Sequence, residues 1–405
     1  QPWQKQKQKQ KKKQLHTRKC QPRRHWSQSP AVPRCRRLAI RLSEGWSLPC
    51  VVCSYGFCML APVVWEPPQV AGMTSRGSGG SSSTTVQQCG TLRRPLRLLG
   101  EQVVHAAVRQ HGQRLIVEFS GRAAALRRAN DCPEERAHMC RQLRRMLRLE
   151  HEDDMVVAKF HSMHRRAKRE GFGRLFRNPS LWEDIVKTVL LCNCGWNRTL
   201  TMARKLCKLV GTEGDCPSAK ELAAAPLAVL RKAGLGYRAA RLQRLAACVV
   251  ASGVQPRLLC DAKESLVALQ AISASAEGAS SAMKEASAHG LRGPPLFMYV
   301  AARVLPGFGE FAARNLLQLC GVYSMVAVDS ETSRHLQARR GLPPSELVNP
   351  AAVRDAADRV YRRYGRHKQL AYWWELWRGY EAVHGSVVSM NSADYVKCCR
   401  TPMST

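Results

Sequence analysis

Arg303-Val-Leu-Pro-Gly-Phe-Gly-Glu-Phe-Ala-Ala-Arg-Asn-Leu-Leu-Gln-Leu-Cys320 decides the fold. The stretch predicts a helix, a tight turn over Leu305, Pro306, Gly307, Phe308 and Gly309, and a second helix. Two glycines let the backbone turn sharply and lie close to another backbone. The second helix opens with unpaired N–H groups and the positive end of its dipole, so it can hold a phosphate. Such a contact positions a polyanion without reading its sequence. Taken alone, a Gly-x-Gly turn also serves as a plain connection between two helices.

Twenty residues on, Val326-Ala327-Val328-Asp329-Ser330-Glu331 puts an acid at the end of an apolar run and the start of a helix. Asp329 there is an N-cap, a reactive carboxylate, or both. Around this pair the pattern is helical from residue 133 onward. Helices are expected over 134–149, 181–194, 198–210, 228–233, 237–252, 295–304, 310–320, 330–339, 351–364 and 367–383. Ser218 and Glu221 have the spacing of a reciprocal helix cap. Residues 271–293, rich in Ala, Ser and Gly, read as an inserted loop or weak helix.

Upstream the pattern changes to strands, over 92–99, 103–108 and 113–119. The apolar run 48–65 is broken by Pro49, Ser54, Gly56 and Pro62, too interrupted to span a bilayer. It reads as two short strands joined at 54–56, and 77–85 as a Gly/Ser linker. The expected organisation is α+β. A disordered basic tail (1–46) precedes a small antiparallel β-rich domain (47–132), a mostly α-helical domain (133–395) and a short tail (396–405).

The 405 residues carry 64 Lys and Arg against 30 Asp and Glu, a net charge of +34. Residues 1–43 hold +14 with no acid, so +20 remains in the rest of the chain. A polyanion partner, nucleic acid above all, follows from a folded part that is itself basic. Seventeen cysteines are odd in number and scattered through helical patterns, which points to free thiols in a reducing compartment. Cys50, Cys53 and Cys58 lack a second ligand pair for zinc. The Lys9–Lys13 and Arg34–Arg37 patches read as nuclear localisation signals. An acid-free, Arg-containing leader is also compatible with a plastid or mitochondrial address.

The hairpin followed by Val328-Asp329 resembles the helix-hairpin-helix (HhH-GPD) DNA glycosylase superfamily. The resemblance extends to Asn178-Pro179-Ser180-Leu181-Trp182-Glu183-Asp184-Ile185-Val186, similar to the opening of that family's first long core helix. Leu191-Cys192-Asn193-Cys194-Gly195-Trp196-Asn197-Arg198 and Gly234-Leu235-Gly236-Tyr237-Arg238-Ala239 are similar to stretches of its 8-oxoguanine branch. Val52-Cys53-Ser54-Tyr55-Gly56-Phe57-Cys58-Met59-Leu60-Ala61-Pro62 looks like the start of plant members. The β-rich unit would match the small antiparallel domain of the 8-oxoguanine and alkyladenine branches. The resemblance spans roughly residues 47–395.

It implies a base-excision enzyme acting on double-stranded DNA, not on membranes, and working as a monomer. Asp329 would stabilise the oxocarbenium-like sugar and help activate the attacking water. Asn193 and Arg198 would fill the gap left by a flipped base, and Tyr237 would be a wedge or a packing residue. On the last helix Trp373 and Trp377 are core packing or a wall of the base pocket; Arg334 and His335 are phosphate contacts or solvated surface. Lyase-competent members carry a lysine where this chain has Phe311, which stacks on the base or packs. A Schiff base needs an amine, so a monofunctional glycosylase is expected. A Trp at position 373, where the 8-oxoguanine branch has an amide, puts that base in doubt. With Cys398 and Cys399 the only cysteines after Asp329, no iron–sulfur cluster is expected. A monovalent cation on the carbonyls of Arg303, Leu305 and Phe308 is the one inorganic partner implied. The rival expectation is a non-catalytic helix-hairpin-helix DNA-binding protein, or an inactive relative.

Overall fold

The computed structural model describes residues 37–68, 90–255, 262–274 and 276–399. The 1–36 part of the basic tail, with the patch at 9–13, and the 77–85 linker lie outside them. The fold is α+β: a five-stranded antiparallel sheet followed by a mostly helical domain. The strands are β1 (Leu38–Arg41), β2 (Val64–Glu66), β3 (Thr91–Arg97), β4 (Val103–His111) and β5 (Arg114–Ser120), in the order β1-β5-β4-β3-β2. Alternation drives β5: Leu115, Val117 and Phe119 are buried.

Two expectations about the N-terminal region are corrected. The basic tail does not extend to residue 46, because β1 pairs with β5 with Ile40 opposite Leu115. Arginine-rich composition hid a short alternating strand whose Ile40 is buried and which covers the edge of β5. The run 48–65 is not two strands. It forms a helix, Leu48–Val52, a 3-10 turn, Gly56–Met59, and then β2. Pro49 sits in the first turn of that helix, where its missing N–H costs nothing. A short apolar run does not distinguish helix from strand by period.

The segment between these turns is pinned to the helical domain. Ser54 Oγ donates to Val51 O at 2.7 Å and accepts from Phe176 N at 2.9 Å. Ser180 caps Leu181–Leu191, and Asn178 donates its backbone and side-chain N–H groups to Asp184 Oδ1 at 3.0 and 2.8 Å. Asp184 also pairs with Arg145 at 2.7 Å, both fully buried. Ser218 and Glu221 form the expected reciprocal cap.

Of the two readings of the 271–293 insert the helical one holds: residues 271–273 end the helix Ala262–Ser273, and 279–288 form the helix Ala279–Ala288. Buried Ala282 and Ala286 let the second pack closely on the hairpin's first helix, Gly293–Arg303. Glu285 accepts from Tyr299 Oη at 2.8 Å and Arg303 Nε at 3.2 Å. Nor is 396–399 a free tail: the turns Ser392–Cys399 pack Tyr395 and Cys398 on the core. Residues 400–405 lie outside the described ones.

Candidate active site

The two helices of the deciding stretch are Gly293–Arg303 and Glu310–Leu319. Between them Leu305 and Phe308 are buried, while Gly307 and Gly309 are exposed. Phe308 N donates to Leu305 O at 3.0 Å, closing the turn. Gly307 has φ +84°, and Gly309 stands at the N-cap of the second helix. The exposed end of that helix is therefore available to a phosphate.

The carbonyls of the turn are partly engaged already. Leu305 O accepts from Phe308 N, and Phe308 O accepts from Arg303 Nη1 at 3.4 Å. A guanidinium thus lies beside Phe308 O, one of the three carbonyls expected to hold a monovalent cation.

Asp329 caps the helix Ser330–Arg340. Its Oδ1 accepts from Thr332 N at 3.0 Å and from Thr332 Oγ1 at 3.1 Å, while Asp329 N donates to Thr332 Oγ1 at 3.1 Å. Oδ2 makes no hydrogen bond among the described residues. Asp329 is open to solvent, yet surrounding protein desolvates its carboxyl and raises its pKa; the Thr332 bonds partly oppose this.

The loop leading to Asp329 is held from two sides. Arg314 Nη1 donates to Val326 O at 3.1 Å, and Ala327 N donates to Gln369 Oε1 at 3.0 Å. Gln369 belongs to a buried network. Its Nε2 donates to Gln318 Oε1 at 2.6 Å; Gln318 donates to Asn315 and Tyr55; Tyr55 Oη donates to Asn315 Oδ1 at 2.6 Å; Asn315 donates to Thr188 Oγ1 at 3.1 Å. The second hairpin helix, the last helix and the 53–60 segment are thus locked together behind Asp329.

The last helix, Lys368–His384, lies alongside. Thr332 Oγ1 and Tyr372 Oη are 2.9 Å apart, and Tyr380 Oη donates to Glu331 Oε2 at 3.1 Å. Tyr372 and Tyr55 both have raised pKa values, chiefly from burial and partly from the Asp329 charge. Trp373, Trp377 and Tyr380 recur at helical spacing on this helix. Trp373 stacks on Trp377 at 5.8 Å between centroids, and Tyr55 lies 4.8 Å from Trp373. Trp373 is half-buried with its indole N–H donated to Ser54 O at 2.9 Å; Trp377 is buried. Tyr55 is a member of this aromatic group that sequence reasoning missed, because its segment was read as strands of the other domain. Phe311 is half-buried at the second position of its helix, and no ring contact joins it to this aromatic group.

A second group of expected residues meets at the hairpin's other flank. Asn193 is exposed with φ +48°, between the helices Leu181–Leu191 and Trp196–Leu209. Tyr237, 47% exposed, donates to Cys192 O at 3.4 Å. Arg238 and Arg241 lie over its ring at 4.5 and 4.6 Å, and Arg238 also donates to the carbonyls of Cys192 and Asn193. Arg198 is exposed, and its guanidinium would stand 3.6 Å from a Cβ on Gly236. Arg241 continues to Gly307 of the hairpin. Asn193, Arg198 and Tyr237 therefore form one exposed edge joined to the turn.

Other expected contacts are reassigned. His335 is buried, hydrogen-bonded to Tyr361 Oη at 2.9 Å, so it is not a phosphate contact; Arg334 pairs with Glu331. Among the described residues, Glu285, His289 and Glu310 are the one metal-compatible convergence. Arg303, Arg314 and Arg354 already neutralise its two acids, so it reads as a brace for the hairpin helices.

The fold agrees with comparisons to known proteins. An HhH-GPD superfamily base excision DNA repair protein family matches residues 186–368. No curated protein matches the chain in sequence. Among solved structures, a 3-methyladenine DNA-glycosylase from Archaeoglobus fulgidus is 16% identical, with TM-score 0.50, covering 84% of this chain and 98% of its own. MBOgg1 in complex with a low-affinity DNA ligand is 14% identical, with TM-score 0.50, covering 84% and 95%. At such identities the likeness concerns the fold. The helical segment 186–368, which holds the hairpin and Asp329, matches the HhH-GPD superfamily of base excision DNA repair proteins.

Proposed function

We propose that the protein is a monofunctional DNA glycosylase that flips a damaged or modified base out of double-stranded DNA and hydrolyses its N-glycosidic bond. The observation that carries this reading is the state of Asp329: an exposed carboxylate with one oxygen fixed by Thr332 and the other without a hydrogen bond among the described residues. The hairpin and the Glu310–Leu319 helix start hold the duplex backbone. Tyr237, with Asn193 and Arg198, occupies the vacated place in the stack. The extruded base lies against the half-buried ring of Trp373, which offsets its unstacking.

Departure of the base leaves positive charge on the sugar, and the Asp329 carboxylate stabilises it through space. The attacking water gives its oxygen to C1′ and its proton, by way of the carboxylate, to solvent; the glycosidic electron pair leaves with the base. The products are a free base and an abasic site. A lyase step needs a free amine. Position 311 has none, and Lys187 in the domain core is committed to Glu183, Asn178 and Leu60 O at 2.8, 2.7 and 3.2 Å. The DNA-bound relative of the same fold supports duplex DNA as the partner.

A second reading rests on the same residue. Asp329 satisfies its helix end so completely that capping alone would explain it, which suits a DNA-binding relative without chemistry. Base release decides between them. Duplexes carrying uracil, alkylated purines, 8-oxoguanine or 5-methylcytosine are incubated with the protein and with Asp329→Asn, then scored with and without alkali. Strand breaks only after alkali, lost in the variant, support the glycosylase. Breaks without alkali, trapped by borohydride, would replace it with a lyase. Tight, salt-sensitive binding without release of any of these bases would favour the binding protein.

A further inference from the structure

We propose that the cleft at the rear of the hairpin helices is a docking groove for an acidic, amphipathic helical segment of a protein partner. The cleft measures about 920 Å³. It lies between the helix His151–Met163, the 290–295 segment, the 321–324 turn and the 363–367 turn. Met155, Lys159 and Met163 follow one another at four-residue spacing and so share a face of that helix. Met155 is 60% exposed, an unusual position for an apolar side chain, and Val156, Leu291 and Val322 continue the apolar floor. Methionine suits this use because its unbranched, polarisable chain adapts to the shape laid on it.

The rim has one sign of charge. Lys159, Arg292, Arg363 and Arg366 line the cleft, and no Asp or Glu does. Lys159, Arg292 and Arg366 are exposed and have no ion-pair partner among the described residues. This contrasts with arginines elsewhere, most of which meet a carboxylate, as Arg354 meets Glu310 and Arg378 meets Glu381. The charge is felt locally: burial first, then Lys159 and Arg366, hold the His367 imidazole below its ordinary pKa.

Position separates this groove from the DNA contact. The helix Gly293–Arg303 starts at the cleft and ends at the hairpin, and Glu310–Leu319 runs back to the 321–324 turn. At ~1.5 Å per residue the two ends are roughly 16 Å apart. A duplex held on the hairpin leaves the cleft open. DNA is also a poor match for the cleft itself, since phosphates would meet the rim but leave the methionine floor wet. The chain's own N-terminal segment is excluded by sign, with 14 Lys and Arg and no acid in residues 1–43. Charge likewise opposes a second copy, at +34 each. A helix with apolar anchors at i, i+4 and i+7 and Asp or Glu beside them satisfies floor and rim together.

The test uses the full chain and labelled peptides of about 14 residues, read by fluorescence anisotropy near physiological salt. One peptide carries Leu at i, i+4 and i+7 among Glu residues; a second has the Leu replaced by Ser; a third has the Glu replaced by Lys. The Leu/Glu peptide is expected to bind with a micromolar Kd, to stay bound when undamaged duplex is added in excess, and to lose affinity roughly tenfold with Met155→Glu, Met163→Glu or Arg366→Glu. Base release from damaged duplex is expected to be unchanged in these surface variants. Equal binding of the Ser peptide would reduce the cleft to nonspecific charge and overturn the proposal. Displacement by duplex would make it part of the nucleic-acid surface, with the same consequence. Unchanged affinity in all three variants would place the peptide elsewhere.

Discussion

The side chain of Arg241 lies against Gly307, so close that a Cβ on Gly307 would stand 2.9 Å from Arg241 Cδ. Because Arg241 also covers the Tyr237 ring at 4.6 Å, the hairpin turn and the exposed edge of Asn193, Arg198 and Tyr237 share one contact. Gly307→Ala would add the strain of φ +84° to this crowding. We expect a loss of about 1–2 kcal/mol in unfolding free energy, from a left-handed backbone and a displaced Arg241. Duplex affinity should fall with it. Denaturant unfolding and duplex titration at fixed salt check both.

Asp329→Asn separates chemistry from capping. Asn and Asp are about equal as N-caps, so stability should change by less than about 0.5 kcal/mol. Base release should fall by roughly a hundredfold or more, because a neutral amide cannot stabilise the developing charge. Measuring unfolding and single-turnover release on one preparation answers the question. A parallel loss of folding and activity would mean that Asp329 acts as a cap alone.

The parts legible in sequence were local ones. Leu305 to Gly309 needs only its glycines, and Asp329 needs only to follow an apolar run and open a helix. The parts that stayed hidden depend on distant partners. Tyr55 joins the aromatic group beside the last helix because Asn315 and Trp373 meet it from the other end of the chain. Gln369 reads as one more polar helix residue until Ala327 N is found on its side chain. Leu38–Arg41 was masked by the arginines around it, since four residues of alternation weigh little against a charged surrounding. Pairing with β5 supplies what composition lacked.

The pH dependence should follow the Asp329 environment. Desolvation by the surrounding protein raises its pKa above the usual carboxylate value, and the Thr332 bonds lower it in part. Activity needs the carboxylate, so kcat/KM is lost as pH falls through this raised value. Thr332→Val removes the hydroxyl bond to Oδ1 but keeps the backbone one. The acid limb of kcat/KM should then move to higher pH. Stability has the opposite sense. A carboxyl whose folded pKa is raised is destabilising once ionised, so Asp329→Asn should gain on the parent protein as pH climbs above ~3.9, the unfolded value. pH–rate profiles and unfolding at several pH values test the two signs separately.

Gln369→Leu should act on positioning. It strips the acceptor from buried Ala327 N and leaves Gln318 Oε1 without its donor. Each unsatisfied buried group costs about 1–3 kcal/mol. The loop carrying Asp329 loses one of its two anchors, with Arg314 on Val326 O remaining. We expect lower kcat with nearly unchanged duplex affinity. Gln369→Glu restores the acceptor for Ala327 N and should recover part of the rate, which simple loss of packing would not allow.

Tyr237→Ala tests the edge beside the hairpin. The ring is about half exposed and held between two arginines, so its removal should change stability by less than about 0.5 kcal/mol. Its proposed place is in the stack that the flipped base leaves. Release from a fully paired duplex should therefore fall more than release from a substrate whose target base is mismatched, because the mismatched base costs less to extrude. Aromatic stacking on bases is worth about 1–3 kcal/mol by alanine substitution, so the paired substrate should slow roughly tenfold to a hundredfold. Equal slowing on both substrates would point to a general contact of Tyr237 with DNA and remove it from the flipping step.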